Sequence, residues 1–390
     1  MTMNKRDEFL PYCRPYFDDD ELNRVADVLK SGWWTKGSVT REFEKVFAEY
    51  VGAKYAVAVN SCTAAMHIAL VAKGIGEGDE VISTPMTFCS TINTIVHTGA
   101  KPVLVDIDSK TGLIDVDKIE AAITEKTKAI VPVHYAGQSC DMDKINAIAE
   151  KYGLFVLEDC AHALSTEYKG KKIGSMGNAC AYSFYVTKNI STAEGGMLTT
   201  DDEELYEKAS VLSLHGMSKN AWSRYGTKGD WKYEVCDPGF KYNLTDIAAA
   251  LGIAQMNKLD EMQDIRTEYA EIYNKAFDKI DGITYLKDNG LGKNSAHLYV
   301  IQIDKNKFDI DRDTFIELLK EYNIGTSVHF IPICMHPYYI NNFGYKKGDF
   351  PETEKMFEGI ISLPLYPSMT REDVMYVIEA VREIAREHAK

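Results

Sequence analysis

The hydrophobic positions of the chain fall into two kinds of run that alternate. "KYAVAVNS" (54–61), "DEVISTP" (79–85), "KPVLVDID" (101–108), "KAIVPVHYAG" (128–137) and "LFVLEDCAH" (154–162) are short and apolar on both faces, which predicts buried strands. Between them stand "TAAMHIALVAKG", ending at Gly74, then "TFCSTINTIVHTG", "DVDKIEAAITEKT" and "DMDKINAIAEKYG". These read as helices, the third opened by Asp115 or Asp117 as N-cap. Two further strands, "ACAYSFYV" and "GGMLTTD", follow. Strands apolar on both faces with helices between them predict a mainly parallel sheet covered on both sides. After Thr245 the pattern turns helical as far as about Ile280. The tail then mixes strands "SAHLYVIQID" and "GTSVHF" with helices "DRDTFIELLKEYN" and "TREDVMYVIEAVREIAREHAK". The expected architecture is α/β: a large domain over residues 1–255, with an N-terminal arm, and a smaller C-terminal α/β domain over residues 256–390.

Composition narrows the function more than the fold. A chain of 390 residues has volume for one large and one smaller domain. Its net charge of −14 argues against general binding to a nucleic-acid backbone, though not against a small anion held by a local cluster. The start "MTMNKRDEFLPYCRP" has no apolar core region, so no signal peptide is expected, and no run is long enough to span a bilayer. The eight cysteines are scattered without a CxxC, which points to reduced thiols in a cytoplasm. Cys160 with His162, or Cys334 with His336, is a weak zinc signal, because neither pair has two further ligands at a recognisable spacing. "GIGEG" (74–78) leads into a strand rather than opening a helix, so it reads as a turn and not a dinucleotide fingerprint.

Ligands of an open parallel sheet sit beyond the carboxyl ends of its strands. Asn60 to Thr63, Thr87 and Phe88, His134 and Tyr135, Glu158 to His162, and Ser183 to Lys188 all fall there. Ser61 and Thr63 open a helix whose free N–H groups suit a phosphate; an ordinary N-cap needs the same residues. Phe88 suits a flat ring or a core. Asp159 closes an apolar strand and needs a partner, which a protonated ring nitrogen, an arginine or a helix terminus would each supply. His162 suits a phenolic oxygen or a hydrogen-bonded core. Lys188, in "SFYVTKNISTAEGG", either ends a strand at the surface or points into a pocket. Phosphate, ring, ring nitrogen and amine together describe pyridoxal 5′-phosphate, with Lys188 as the amine that takes its aldehyde.

"NSCTAAMHIAL", "PMTFCSTINTI", "VPVHYAGQSCDMD", "EDCAHA", "SFYVTKNISTAEGG" and "GFKYNLTDIAAALGIAQ" resemble, in order and spacing, the DegT-type aminotransferases of nucleotide-linked keto sugars. The likeness runs from about residue 10 to about residue 380 and implies the fold-type I architecture of pyridoxal-phosphate transferases. The resemblance implies that Lys188 is the Schiff-base lysine and proton carrier and that Asp159 pairs with the pyridine nitrogen. It puts His162 near the ring hydroxyl and Phe88 on the ring. Ser61, Cys62, Thr63 and Ser183 would hold the phosphate. Asn243 would reach the phosphate of a neighbouring subunit, which implies a homodimer. Trp33 in "SGWWTKG", Tyr185, and His329 in "SVHFIPICMHPYY" would belong to the sugar-nucleotide pocket. Glutamate is the implied amino donor and the 4-keto carbon of a UDP-linked sugar the implied acceptor, in cell-surface glycan synthesis.

Three departures from the family pattern stand out. Cys62 replaces a Gly or Ala, Tyr185 replaces a His, and "SKNAWSRYGTKGDWKYEVCDPG" (218–239) is an aromatic and basic stretch read as a specificity loop. Rival readings are a C3 aminotransferase, which shares every cofactor residue, and a non-catalytic regulator, which would be expected to lose the lysine. A sugar dehydratase of the family would carry His in place of Lys188. An amino-acid aminotransferase would want a C-terminal arginine clamp, and Arg312, Arg371, Arg382 and Arg386 sit at helix starts or on a charged helix face.

Overall fold

A computed structural model of the protein describes residues 5–217 and 233–390. The first five strands are β1 (Tyr55–Val59), β2 (Glu80–Ser83), β3 (Lys101–Leu104), β4 (Thr127–Ile130) and β5 (Phe155–Asp159). A short ladder of β6 (Glu167–Tyr168) and β7 (Lys171–Lys172), not anticipated from the sequence, stands apart. β8 (Ala179–Ser183) and β9 (Gly196–Thr200) complete a seven-stranded sheet in the order β1-β9-β8-β5-β4-β2-β3. β9 runs antiparallel to both its neighbours, and the other neighbours pair in parallel. The start of β9 therefore lies at the same edge as the ends of β1, β5 and β8.

Every residue of β2 and β9 is buried, which is why these strands show no polar alternation. Helix Cys62–Ala72 packs against β8 and β9 on one side and against helices Cys89–His97 and Glu203–Leu212 on the other. Burial on nearly all sides explains a sequence that is apolar all round rather than striped. Helices Met142–Tyr152 and Glu203–Leu212 start where Asp141 and Asp202 accept backbone N–H bonds, as N-caps do.

A second core forms on the antiparallel sheet of β10 (Ile283–Tyr285), β11 (Tyr299–Ile303) and β12 (Ile360–Leu363), covered by helices Leu259–Phe277 and Arg371–Glu387. Leu10 belongs to this core and bridges Ile324, so the N-terminal segment is anchored far from the residues that follow it in sequence. "GTSVHF", expected as a strand, makes only a single bridge, Ser327 to Ser362, on the edge of β12 that faces away from β11. "DVDKIEAAITEKT" shrinks to helix Val116–Ile119 and one tight 3₁₀ turn. The N-cap of the last helix is Thr370, with Arg371 its first helical residue.

Candidate active site

At the carboxyl edge of the large sheet lies a cavity of about 450 Å³. It is lined by Ser61, Cys62, Thr63, Phe88, Asp159, His162, Ser183, Tyr185, Lys188 and His329, ten of the residues expected from sequence. All but His329 come from the end of a strand of this sheet or the loop beyond it, the placement that a parallel sheet imposes; His329 enters from the segment after helix Arg312–Glu321.

The turn after β1 delivers the helix N-terminus expected to take an anion. Ser61 caps helix Cys62–Ala72: its Oγ accepts from Ala64 N–H at 3.0 Å, and its carbonyl takes the first helical bond, from Ala65 N–H at 3.1 Å. That leaves the N–H groups of Cys62 and Thr63 ahead of the first helical bond, at the positive end of the helix. The Cys62 thiol turns away and donates to the Ala181 carbonyl of β8 at 3.3 Å, so the thiol that departs from the family pattern packs into the sheet. Burial pushes its pKa well up, which keeps it a neutral thiol.

Asp159 faces the same space and is buried. Its Oδ2 accepts from Thr91 Oγ1 at 2.7 Å and its Oδ1 from Ala161 N–H at 3.1 Å. Burial raises its pKa, while these two donors and the Lys188 charge oppose the rise. Lys188 follows a turn closed by its N–H on the Tyr185 carbonyl at 2.9 Å. Burial lowers its pKa to about 8 against the pull of the nearby Cys62 and Asp159. This lysine therefore lines a pocket and is not a strand-end surface charge.

His162 accepts from Ala136 N–H at Nδ1 (3.3 Å), which places its proton on Nε2. Burial and the Lys188 charge hold its pKa well below the ordinary histidine value. Phe88 is 57 % exposed, so it is not a core aromatic, and its ring lies 5.8 Å from Phe330. His329 bonds Ser362 Oγ through Nδ1 at 2.8 Å, and burial lowers its pKa to about 4.

Two expected residues lie elsewhere. Asn243 bridges Val59 and turns its Nδ2 onto the Leu244 carbonyl at 3.1 Å, outside the wall of this cavity. Trp33 lines a separate depression with Arg41 and Tyr206. Its loop is clamped there by Asp246, which accepts from Gly37 N–H at 2.7 Å and from Thr40 Oγ1 at 2.6 Å. Most of the specificity loop, residues 218–232, lies outside the described residues.

The sequence reading missed Tyr12 and His297 as cavity residues; Phe330, which also lines the cavity, belongs to the "SVHFIPICMHPYY" segment expected there. Tyr12 comes from the N-terminal segment. His297 precedes β11, lies with its ring 4.4 Å from that of His162 at a tilt of 31°, and bonds Asn189, the neighbour of Lys188, at 2.9 Å. The "SAHLYV" run marks a strand but carries no sign of where its histidine points.

One buried cluster has metal-ligand residue types: His134, Glu158 and Cys160. Its groups already satisfy one another. His134 Nε2 meets Glu158 Oε2 at 2.7 Å, Asn178 donates to the other oxygen at 2.8 Å, and the Cys160 thiol donates to the Glu158 carbonyl. The cluster is a hydrogen-bonded part of the core.

The donor set of the cavity fits pyridoxal 5′-phosphate on its own chemistry: orphan N–H groups at a helix N-terminus, a buried carboxylate with room on the cavity side, an exposed aromatic face and a depressed lysine.

Comparison with known proteins gives a consistent picture. The model of the DegT/DnrJ/EryC1/StrS aminotransferase family matches residues 15–382. The spore coat polysaccharide biosynthesis protein SpsC of Bacillus subtilis (strain 168) is 57 % identical over 385 residues, covering 98 % of this chain and 99 % of that one. The UDP-4-amino-4-deoxy-L-arabinose–oxoglutarate aminotransferase of Shewanella sediminis is 44 % identical, covering 97 % and 98 %. Among solved structures, the PLP form of Spr1654 from Streptococcus pneumoniae superposes with a TM-score of 0.91 at 33 % identity, covering 97 % of this chain and 99 % of that one.

Proposed function

The chain belongs to the DegT/DnrJ/EryC1/StrS aminotransferase family, and on that ground we propose that it transfers an amino group from glutamate to the 4-keto carbon of a UDP-linked sugar. The observation that carries the reading is the single cavity in which Lys188, Asp159 and the N-terminus of helix Cys62–Ala72 meet. Likeness to an aminotransferase of UDP-4-amino-4-deoxy-L-arabinose and oxoglutarate supports the nucleotide, the position and the donor. Likeness to SpsC supports a place in polysaccharide biosynthesis.

The cofactor is pyridoxal 5′-phosphate, which when bound supplies an aldehyde that takes up the amino group and a ring that draws electrons from the substrate carbon. The N–H groups of Cys62 and Thr63, with the Thr63 and Ser183 hydroxyls, hold its phosphate. Phe88 offers one face to the ring. Asp159 holds a proton on the ring nitrogen, and His162 presents Nε2–H to the ring oxygen. With a pKa of about 8, Lys188 has an appreciable neutral fraction near pH 7, so its Nζ would hold the cofactor's aldehyde and, once displaced by the incoming amine, would be the free base that moves the proton to the sugar's C4. His329 and Tyr185 line the outer part of the cavity, where the sugar would lie.

Asn243 would serve the site of a second copy, which makes the working unit a homodimer. An apolar groove supports that assembly. It is lined by Phe17, Leu22, Val186, Ala193 and Leu251, next to the Lys188 loop. Phe17 and Leu22 are 65 % and 59 % exposed in the single chain. No helix among the described residues is long and apolar enough to cross a membrane.

The test is a panel of UDP- and dTDP-linked keto sugars offered to purified protein with glutamate, with the product read by NMR. Oxoglutarate release with nitrogen at C4 of a UDP-linked sugar is expected. Nitrogen at C3 would overturn the position alone; no transfer to any nucleotide-linked sugar would overturn the substrate class.

A further inference from the structure

Asp159 is held from behind by a chain of hydroxyls. Thr91 Oγ1 lies 2.7 Å from Asp159 Oδ2, and Thr87 Oγ1 lies 2.7 Å from Thr91 Oγ1. Both threonines are at most 1 % exposed. They stand one helical turn apart, Thr87 in the loop before helix Cys89–His97 and Thr91 in its first turn. An ionised carboxylate only accepts, so Thr91 donates to it. The Thr91 oxygen is then left to accept, so Thr87 donates to Thr91. The chain of donors thus runs one way, from the cavity wall at Thr87 to the carboxylate. The second oxygen of Asp159 accepts from Ala161 N–H at 3.1 Å.

We propose that Thr91 is a positioning residue for the transamination, its hydroxyl and the Ala161 N–H fixing both oxygens of Asp159 so that the carboxylate faces the cofactor's ring nitrogen, with Thr87 setting the direction of the Thr91 hydroxyl. This rests on the reading of Asp159 as the partner of that nitrogen. Neither threonine needs to touch the ring. Thr91 acts only through the carboxylate: a buried charge with one donor removed turns toward another partner or gains a proton.

The experiment compares Thr91→Val, which keeps the shape and removes the hydroxyl, with Thr91→Ser, Thr87→Val and Asp159→Asn. It reads the affinity of the cofactor-free protein for pyridoxal 5′-phosphate, and kcat and KM for glutamate in the loaded enzyme. Thr91→Val should weaken cofactor affinity and lower kcat by about tenfold or more each, the scale of one hydrogen bond to a charged group, with KM for glutamate little changed. Thr91→Ser should restore both to within roughly threefold of the parent, because the donor returns. Thr87→Val should shift both in the same direction by less, and it keeps the proposal testable if Thr91→Val does not fold. In the Asp159→Asn background, Thr91→Val should add little, since the two act as one unit. Parent-like behaviour of Thr91→Val, or of Thr87→Val should the first not fold, overturns the proposal. So does full additivity with Asp159→Asn. If Asp159→Asn alone leaves affinity and kcat at parent values, the reading of Asp159 itself has failed, a result distinct from failure of the Thr91 variants beside a crippled Asp159→Asn.

Discussion

A Cβ on Gly196 would stand 2.3 Å from the carbonyl carbon of Ser61 and 2.4 Å from the amide nitrogen of Cys62. Gly196 pairs with Val59 of β1 on one side and Ser183 of β8 on the other, so it lies directly beneath the turn that opens helix Cys62–Ala72. Neither the turn nor the sheet can move without moving the other. Gly196→Ala should therefore lower stability by about 1–3 kcal/mol through overpacking and weaken binding of pyridoxal 5′-phosphate. Urea unfolding of the cofactor-free protein and a cofactor titration check both. A variant with the parent's midpoint and affinity would mean that the close approach is not needed.

Lys188 is the expected covalent anchor. Borohydride treatment of the yellow holoenzyme should fix the cofactor's mass on the peptide that contains Lys188. Lys188→Ala should still bind the cofactor through Asp159 and the helix N-terminus, should give no fixed adduct, and should not turn over. Peptide mass spectrometry and an activity assay decide it, and near-normal transamination by Lys188→Ala would remove the lysine from the centre of the mechanism.

The buried Asp159 carboxylate is the proposed partner of the cofactor's ring nitrogen. Asp159→Asn should lose about 2–4 kcal/mol of transition-state stabilisation, roughly the loss on removing one preorganised electrostatic partner. Comparison of kcat/KM for the two proteins measures this directly. Equal values would leave Asp159 a structural role only.

The depressed lysine should also leave a mark on stability. Folding lowers the Lys188 pKa from 10.5 to about 8, so the unfolded chain binds more protons in between. Burying the charged amine costs stability at full size below about pH 8, and the cost fades as pH rises toward 10.5. The cofactor-free Lys188→Met variant should therefore exceed the parent most at pH 7, with the gap narrowing by about 2 kcal/mol by pH 10. Denaturant unfolding of both proteins across that range provides the measurement; a gap independent of pH would show that the amine is not depressed.

Asn243 gives a test of assembly. If it completes the partner's phosphate site, Lys188→Ala and Asn243→Ala subunits mixed under exchange conditions should form hybrid dimers with one intact site. Activity should recover above that of either variant alone. Mass-tagged subunits confirm that exchange took place, and exchange without recovery would speak against a shared site.

The alternation of strands and helices was legible because hydrophobic periodicity is local: each run shows its own faces, whatever it packs against. The same locality made the edge of the sheet readable. Parallel strands bring their carboxyl ends to one side, so Ser61, Asp159 and Lys188 could be placed together without a structure. Lateral order was not in the pattern. β9 slips between β1 and β8 against the direction of its neighbours, and only the packed sheet decides that. Tyr12 and His297 reach the cavity from segments that no local signal connects to it. Trp33, grouped with the site by its motif, is held away from the cavity wall by Asp246, more than two hundred positions along the chain. "GTSVHF" has the composition of a strand yet makes one bridge to β12, because strand propensity depends on the packing a segment meets in the folded chain. Local runs of side chains set which elements form and which ends carry chemistry; contacts between distant segments set which of those ends share a wall, since burial and hydrogen-bond partners exist only once the chain has closed on itself.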